Sequence, residues 1–175
     1  MHTRYPCSYA RLAARTLWLA LLVQMPEAIA HDDNSSTVAG WVETGWIGEP
    51  PIKVKVKLDT GARTSSIHAA QVRDYEKGGK RYVSFSLTNN EGAILKLDSE
   101  VVRTATIRRA GTELQERPVI RLKICIAGQS RETEFTMADR SDLTYPVLVG
   151  RSFLAGNIVV DSSRTFLSAD TCTKQ

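Results

Sequence analysis

Apolar and polar residues alternate with a period of two through much of this chain, a pattern that confines those stretches to β-structure. Ile52, Val54, Val56 and Leu58 alternate with Lys53, Lys55 and Lys57, which makes a half-buried strand with a solvated basic face. Tyr82–Leu87 and Ala93–Leu97 flank Asn89-Asn90-Glu91-Gly92, a hairpin signal. Further strands are expected over Val101–Ile107, ended by a turn at Ala110-Gly111, and over Val119–Ile126 and Thr133–Met137 around Ala127-Gly128-Gln129. Tyr145–Val149 is a continuous apolar run, as in a strand buried on both faces. Ile158–Asp161 and Thr165–Leu167 close the chain around a turn at Ser162-Ser163-Arg164. Helix signals are confined to Thr64–Gln71, enough for a turn or two, and Arg151–Ala155, one short helix. Many short strands punctuated by Gly and Asn predict a single all-β domain, a barrel or sandwich.

The N-terminus is read separately. Arg4, Arg11 and Arg15 precede the apolar run Leu17–Val23, and Ala28-Ile29-Ala30 follows with small residues at a cleavage position. This reads as a secretory signal over residues 1–30, too short in its apolar part to span a bilayer. The expected product is an exported, periplasmic domain with a flexible segment at 31–40, a folded domain at 41–170 and a C-terminal tail at 171–175. No later apolar run has membrane length, so no stable membrane insertion is expected after cleavage. The net charge of +4 is too small and dispersed to indicate a nucleic-acid partner. Cys7 leaves with the signal, and Cys125 and Cys172 remain. An oxidising compartment permits a bridge between them, with two unrelated thiols as the alternative. Cys125 falls on the polar face of its strand, opposite Leu122, Ile124 and Ile126, where a C-terminal tail can reach it.

Asp59-Thr60-Gly61-Ala62 places a carboxylate, a hydroxyl and a conformationally free glycine at the end of the lysine-faced strand. Alone, the tripeptide also fits an ordinary strand-ending turn. About ninety residues later, Val147-Leu148-Val149-Gly150-Arg151 reads as hydrophobic strand, glycine and helix start. With these two segments the chain resembles the retropepsin-like aspartic peptidases, in which such segments cross beneath the active site. Asp59–Ala69, Glu116–Val119, Phe135-Thr136, Asp139-Arg140, Pro146 and Val160-Asp161 are similar to one bacterial branch. That branch is RimB-like, has been labelled an ATP-dependent zinc protease, and is related to proteins associated with glutamate-tail processing. The resemblance covers about Trp41 to Leu167 and implies a retropepsin-like β-barrel with one short helix after the Gly-Arg motif.

The zinc and ATP in that label find no support in the residues. After the signal, only His31 and His68 remain as imidazoles, without an H-E-x-x-H pair, and no phosphate-binding G-x-x-x-x-G-K-[ST] loop occurs. No metal and no cofactor are therefore expected. The resemblance implies peptide hydrolysis by two carboxylates that share a proton. With a single Asp-Thr-Gly, the simplest source of the second carboxylate is a homodimer that opposes two copies of Asp59, shaped by Thr60 and Gly61. Arg63, Ser65 and His68 follow directly and are expected to line the cleft, local capping or packing being the alternative. Arg117, Arg140 and Arg151 recur in the resembling branch. If they converge, an acidic or glutamate-rich peptide is the implied substrate, since guanidiniums suit carboxylates; solvated or salt-bridged arginines are the alternative. Asn89–Gly92 is the candidate flap, or else a plain hairpin. A non-catalytic periplasmic module that binds acidic peptides on the same fold is the rival reading.

Overall fold

The computed structural model describes residues 36–107, 114–169 and 171–172, within the compact unit Asp33–Gln175. The secretory-signal reading, the turn at Ala110-Gly111 and the last residues of the tail lie outside them. The elements are β1 Thr37–Gly40, β2 Val42–Ile47, β3 Ile52–Leu58, β4 Ser65–His68, β5 Ala70–Lys77 and β6 Lys80–Thr88. They continue as β7 Ile94–Ile107, β8 Gln115–Ile126, β9 Gln129–Ala138, β10 Val147–Val149, α1 Arg151–Leu154 and β11 Ile158–Asp161.

One sheet runs β2-β3-β10-β4-β9-β8-β7-β6-β5, and a further β2–β8 pairing closes its first six strands into a barrel. The alternation seen in the sequence is what closes it. Val54, Val56 and Leu58 of β3, Ile67 of β4, Ile124 and Ile126 of β8, Phe135 of β9 and Val147 and Val149 of β10 all point inward and are buried. The strands β7, β6 and β5 extend from the barrel as a three-stranded wing. Val83, Phe85 and Leu87 on β6 are buried there against Leu95 and Leu97 of β7.

Four expectations change. Ser65–His68 is a strand, not a helical turn, because it fills the gap between β9, to which it is parallel, and β10, to which it is antiparallel. Residues 70–77, of which Ala70 and Gln71 were read as the end of a helical turn and the rest left unassigned, form an edge strand joined to β6 through Gly78 and Gly79. Both glycines have positive φ (60° and 73°), the backbone of a two-residue hairpin turn. Thr165–Leu167 is no strand: Phe166 has φ 51°, and its N–H and that of Leu167 go to the Val42 carbonyl and the Glu43 carboxylate. The supposed flexible segment at 31–40 is ordered at its end, since Thr37–Gly40 pairs in parallel with Ile158–Asp161.

The C-terminal segment runs over the barrel as a clamped strap. Buried Glu43 Oε1 accepts the N–H groups of Gly40, Leu167 and Ser168, and Oε2 accepts the Ser168 hydroxyl. Beyond it Cys172, itself buried, is disulfide-bonded to Cys125 of β8. The bridge left open by the sequence is therefore formed, and the tail expected from residue 171 is fastened to the domain at Cys172.

Candidate active site

The Asp-Thr-Gly-Ala turn leaves the barrel where β3 ends. Asp59 N–H donates to the Val149 carbonyl at 2.8 Å, prolonging the parallel β3–β10 pairing. Asp59 Oδ1 accepts the N–H groups of Gly61 at 2.9 Å and Ala62 at 3.1 Å, so the carboxylate is oriented by its own loop. Asp59 Oδ2 points away from that cradle, 3.8 Å from Lys57 Nζ.

The Gly-Arg segment locks the turn from beneath. Gly150 N–H donates to Ser65 Oγ, Arg151 N–H to the Ala62 carbonyl and Ser152 N–H to the Arg63 carbonyl. A Cβ on Gly150 would lie 2.7 Å from the Thr64 carbonyl oxygen, so only glycine permits the crossing. Arg151 Nη1 donates to the carbonyls of Thr60 and Gly61, both at 2.9 Å. The α1 helix is held in turn by Arg131, whose guanidinium stacks over the Phe153 ring and bonds the Phe153 carbonyl.

The predicted site residues separate into groups. Thr60 and Gly61 are exposed in the loop. Ser65 and Arg151 both brace the loop: Ser65 is wholly buried, and Arg151, itself exposed, bonds the loop's backbone carbonyls. His68 Nδ1 accepts the Arg140 N–H at 3.0 Å, so a neutral ring carries its proton on Nε2. Arg140 is anchored by Ser66 Oγ through Nη1 and by the Tyr145 carbonyl through Nε. Burial pulls this guanidinium below its ordinary value; the Asp59 carboxylate opposes that, and Arg117 adds to it. Asp59 and Arg117 thus each act electrostatically on Arg140. Arg117 also lines a cavity of about 260 Å³ with Ala69, Val72, Met137 and Asp139. Arg63 stands apart. It lines a separate open cleft of about 710 Å³ with Arg103, Arg121, Glu132 and Glu134, where Glu134 pairs with both arginines of the wing and barrel. Of the three arginines whose convergence was in question, Arg117 and Arg140 interact electrostatically, and Arg151 is tied to the carbonyls of Thr60 and Gly61.

The Asn89–Gly92 turn is a fastened hairpin and not a free flap. Asn89 Nδ2 donates to the Lys53 carbonyl, Asn90 Oδ1 accepts the Lys55 N–H, and Asn90 Nδ2 donates to the Thr144 carbonyl. Sequence reasoning also passed over Lys57, counted with the solvated lysines. The signal was its position: two residues before Asp59 on a strand, it shares that residue's face. Among the described residues no group of three or more His, Cys, Asp or Glu side chains is placed to hold a metal ion.

A barrel closed by six strands, with an Asp-Thr-Gly turn locked by a Gly-Arg crossing, defines the retropepsin-like class. The chain belongs to the RimB-like family, described as retropepsin-like aspartic endopeptidase RimB, whose family model matches residues 38–171. It is 36% identical over 129 residues to a protein of Shewanella halifaxensis named probable alpha-L-glutamate ligase, which covers 72% of this chain. A protein of Parasynechococcus marenigrum with the same name is 30% identical over 69% of the chain. The chain spans only 28% and 26% of those two relatives. A solved Legionella pneumophila protein of unknown function superposes with a TM-score of 0.67 at 29% identity, covering 77% of this chain and 100% of its own.

Proposed function

We propose that the protein is an exported aspartic-type peptidase whose dyad is made of Asp59 from two copies of the chain. The observation that carries this reading is the Asp59 carboxylate, held at Oδ1 by two backbone N–H groups while Oδ2 lies outside that cradle, 3.8 Å from the Lys57 ammonium. Two such carboxylates brought together retain one proton between them and titrate as a unit. The ionised member takes a proton from water as its oxygen attacks the scissile carbonyl carbon. The protonated member gives its proton to the carbonyl oxygen, forming the tetrahedral intermediate. A proton then passes to the amide nitrogen, and the C–N bond breaks to release acid and amine.

Arg140, which interacts electrostatically with Asp59, and Arg117, which interacts with Arg140, favour a peptide with acidic side chains, and the glutamate chemistry in the relatives' names agrees with that choice. The signal pattern of residues 1–30 supports action in the periplasm. Asp59→Asn is expected to lower hydrolysis of glutamate-rich peptides by about a thousandfold, with the fold retained in circular dichroism. Full activity in that variant would remove the mechanism. The rival, a binding module without turnover, draws on the exposed single Asp-Thr-Gly, and predicts acidic-peptide binding with no cleavage in either protein.

A further inference from the structure

We infer that the open cleft reached from the Asp59 loop through Arg63 is a second binding site, in which Arg63, Arg103 and Arg121 take carboxylates of acidic side chains several residues away from the peptide bond presented to Asp59. The choice of an acidic peptide as occupant rests on the proposed function; the existence of a carboxylate site does not.

Neighbouring strands build this cleft. Arg63 and Thr64 stand between the Asp-Thr-Gly-Ala turn and β4, and Glu134, Arg121 and Arg103 follow on β9, β8 and β7, the next three strands of the sheet. Arg121 lies opposite Glu134 in the β8–β9 register. Both project from the outer wall of the barrel, because Ile120, Leu122 and Phe135 beside them are buried inside it. The cleft, of about 710 Å³, therefore crosses the strands on that wall. Its Arg63 end is fixed by α1, where the Ser152 N–H donates to the Arg63 carbonyl at 3.0 Å.

One internal contact already displays the chemistry of the cleft. Arg103 Nε and Nη2 both donate to Glu134 Oε2, at 2.9 and 2.7 Å, and Arg121 Nη2 lies 3.6 Å from Glu134 Oε1. A carboxylate thus sits among guanidiniums whose planar N–H groups suit it. These pairs are partly exposed and such pairs hold weakly, so an incoming carboxylate can exchange with that of Glu134. Glu132 also lines the cleft, which leaves the cations Arg63, Arg103 and Arg121 in excess over the anions Glu132 and Glu134. Arg63 supplies the excess: among the described residues its guanidinium has no hydrogen-bond or ion-pair partner. Arg63 is four residues from Asp59, so their Cα atoms are at most about 14 Å apart. An extended peptide advances about 3.3 Å per residue, so an acidic side chain about four residues from the scissile bond reaches the cleft.

The test is equilibrium binding of a fluorescein-labelled oligoglutamate peptide of about ten residues, about 33 Å long when extended, to the full chain carrying Asp59→Asn, in which turnover is suppressed. Arg63→Gln and Arg121→Gln, each added to that chain, are expected to weaken binding about fivefold. Glu134→Gln, which releases the paired arginines, tightens it. Arg73→Gln, which removes the same charge from β5, leaves the affinity in place, and unlabelled oligoglutamine of the same length does not compete. Unchanged affinity in both cleft arginine variants, an equal loss in Arg73→Gln, or displacement of the peptide by inorganic phosphate at matched charge would overturn the inference. That failure leaves the peptidase reading standing on its Asp59→Asn hydrolysis test. Binding without hydrolysis in wild type removes the peptidase reading and keeps the carboxylate site.

Discussion

Glu43 is 1% exposed and has no cationic partner among the described residues, yet its two oxygens accept four hydrogen bonds from Gly40, Leu167 and Ser168. A carboxylate can be buried when donors replace its water, and here the donors come from both ends of the domain. Glu43→Ala strands those donors and is expected to cost about 3 kcal/mol of stability, read as a lower midpoint in urea unfolding. The same residue shows where sequence reading stops. A glutamate beside Val42 at the start of β2 looks like any solvent-facing side chain. Its burial is caused by a segment more than a hundred positions away. Lys57 differs, because its partner is two residues distant and strand geometry alone pairs them.

At the level of elements, the crossing of Gly150 over the loop decides whether Asp59 is held. A methyl group there meets the Ala62 carbonyl oxygen at 2.9 Å as well as that of Thr64. Both are backbone atoms that cannot swing aside. Gly150→Ala is therefore expected to cost about 2 kcal/mol through overpacking and to impair Asp59-dependent hydrolysis, checked by thermal melting and assay together. Strands with one buried face, such as β3 and β8, were legible because burial writes a period of two into them. β5 was not, since Gln71–Glu76 is exposed or half-exposed on both faces and carries no alternation. β7 reads as two strands because a register shift between Val101 and Arg103 breaks its pattern where it changes partner from β6 to β8. Ser65–His68 has no helical or strand signature strong enough to decide, and its neighbours in the barrel impose the strand.

For the whole molecule, the proposed dyad makes activity a property of two chains. Specific activity is expected to fall on dilution below the dimer dissociation constant, with sedimentation velocity reporting monomer over the same range. A strictly monomeric protein that still cleaves peptides would exclude a dyad shared between copies. The disulfide adds to the integrity of each copy by closing a loop between Cys125 and Cys172, a sequence separation of 47.

The order of strands and turns, the Asp-Thr-Gly and Gly-Arg segments and the place of the short helix were written in local patterns: alternation, turn residues and motif spacing each act within a few neighbours. Tertiary structure alone decided that Arg140 interacts with both Asp59 and Arg117 while Arg63 faces another cleft. It also decided that Arg151 braces backbone, that Asn89–Gly92 is tied down, and that Cys125 meets Cys172. These outcomes depend on which strands become neighbours when the barrel closes, a long-range choice that no short window of sequence records.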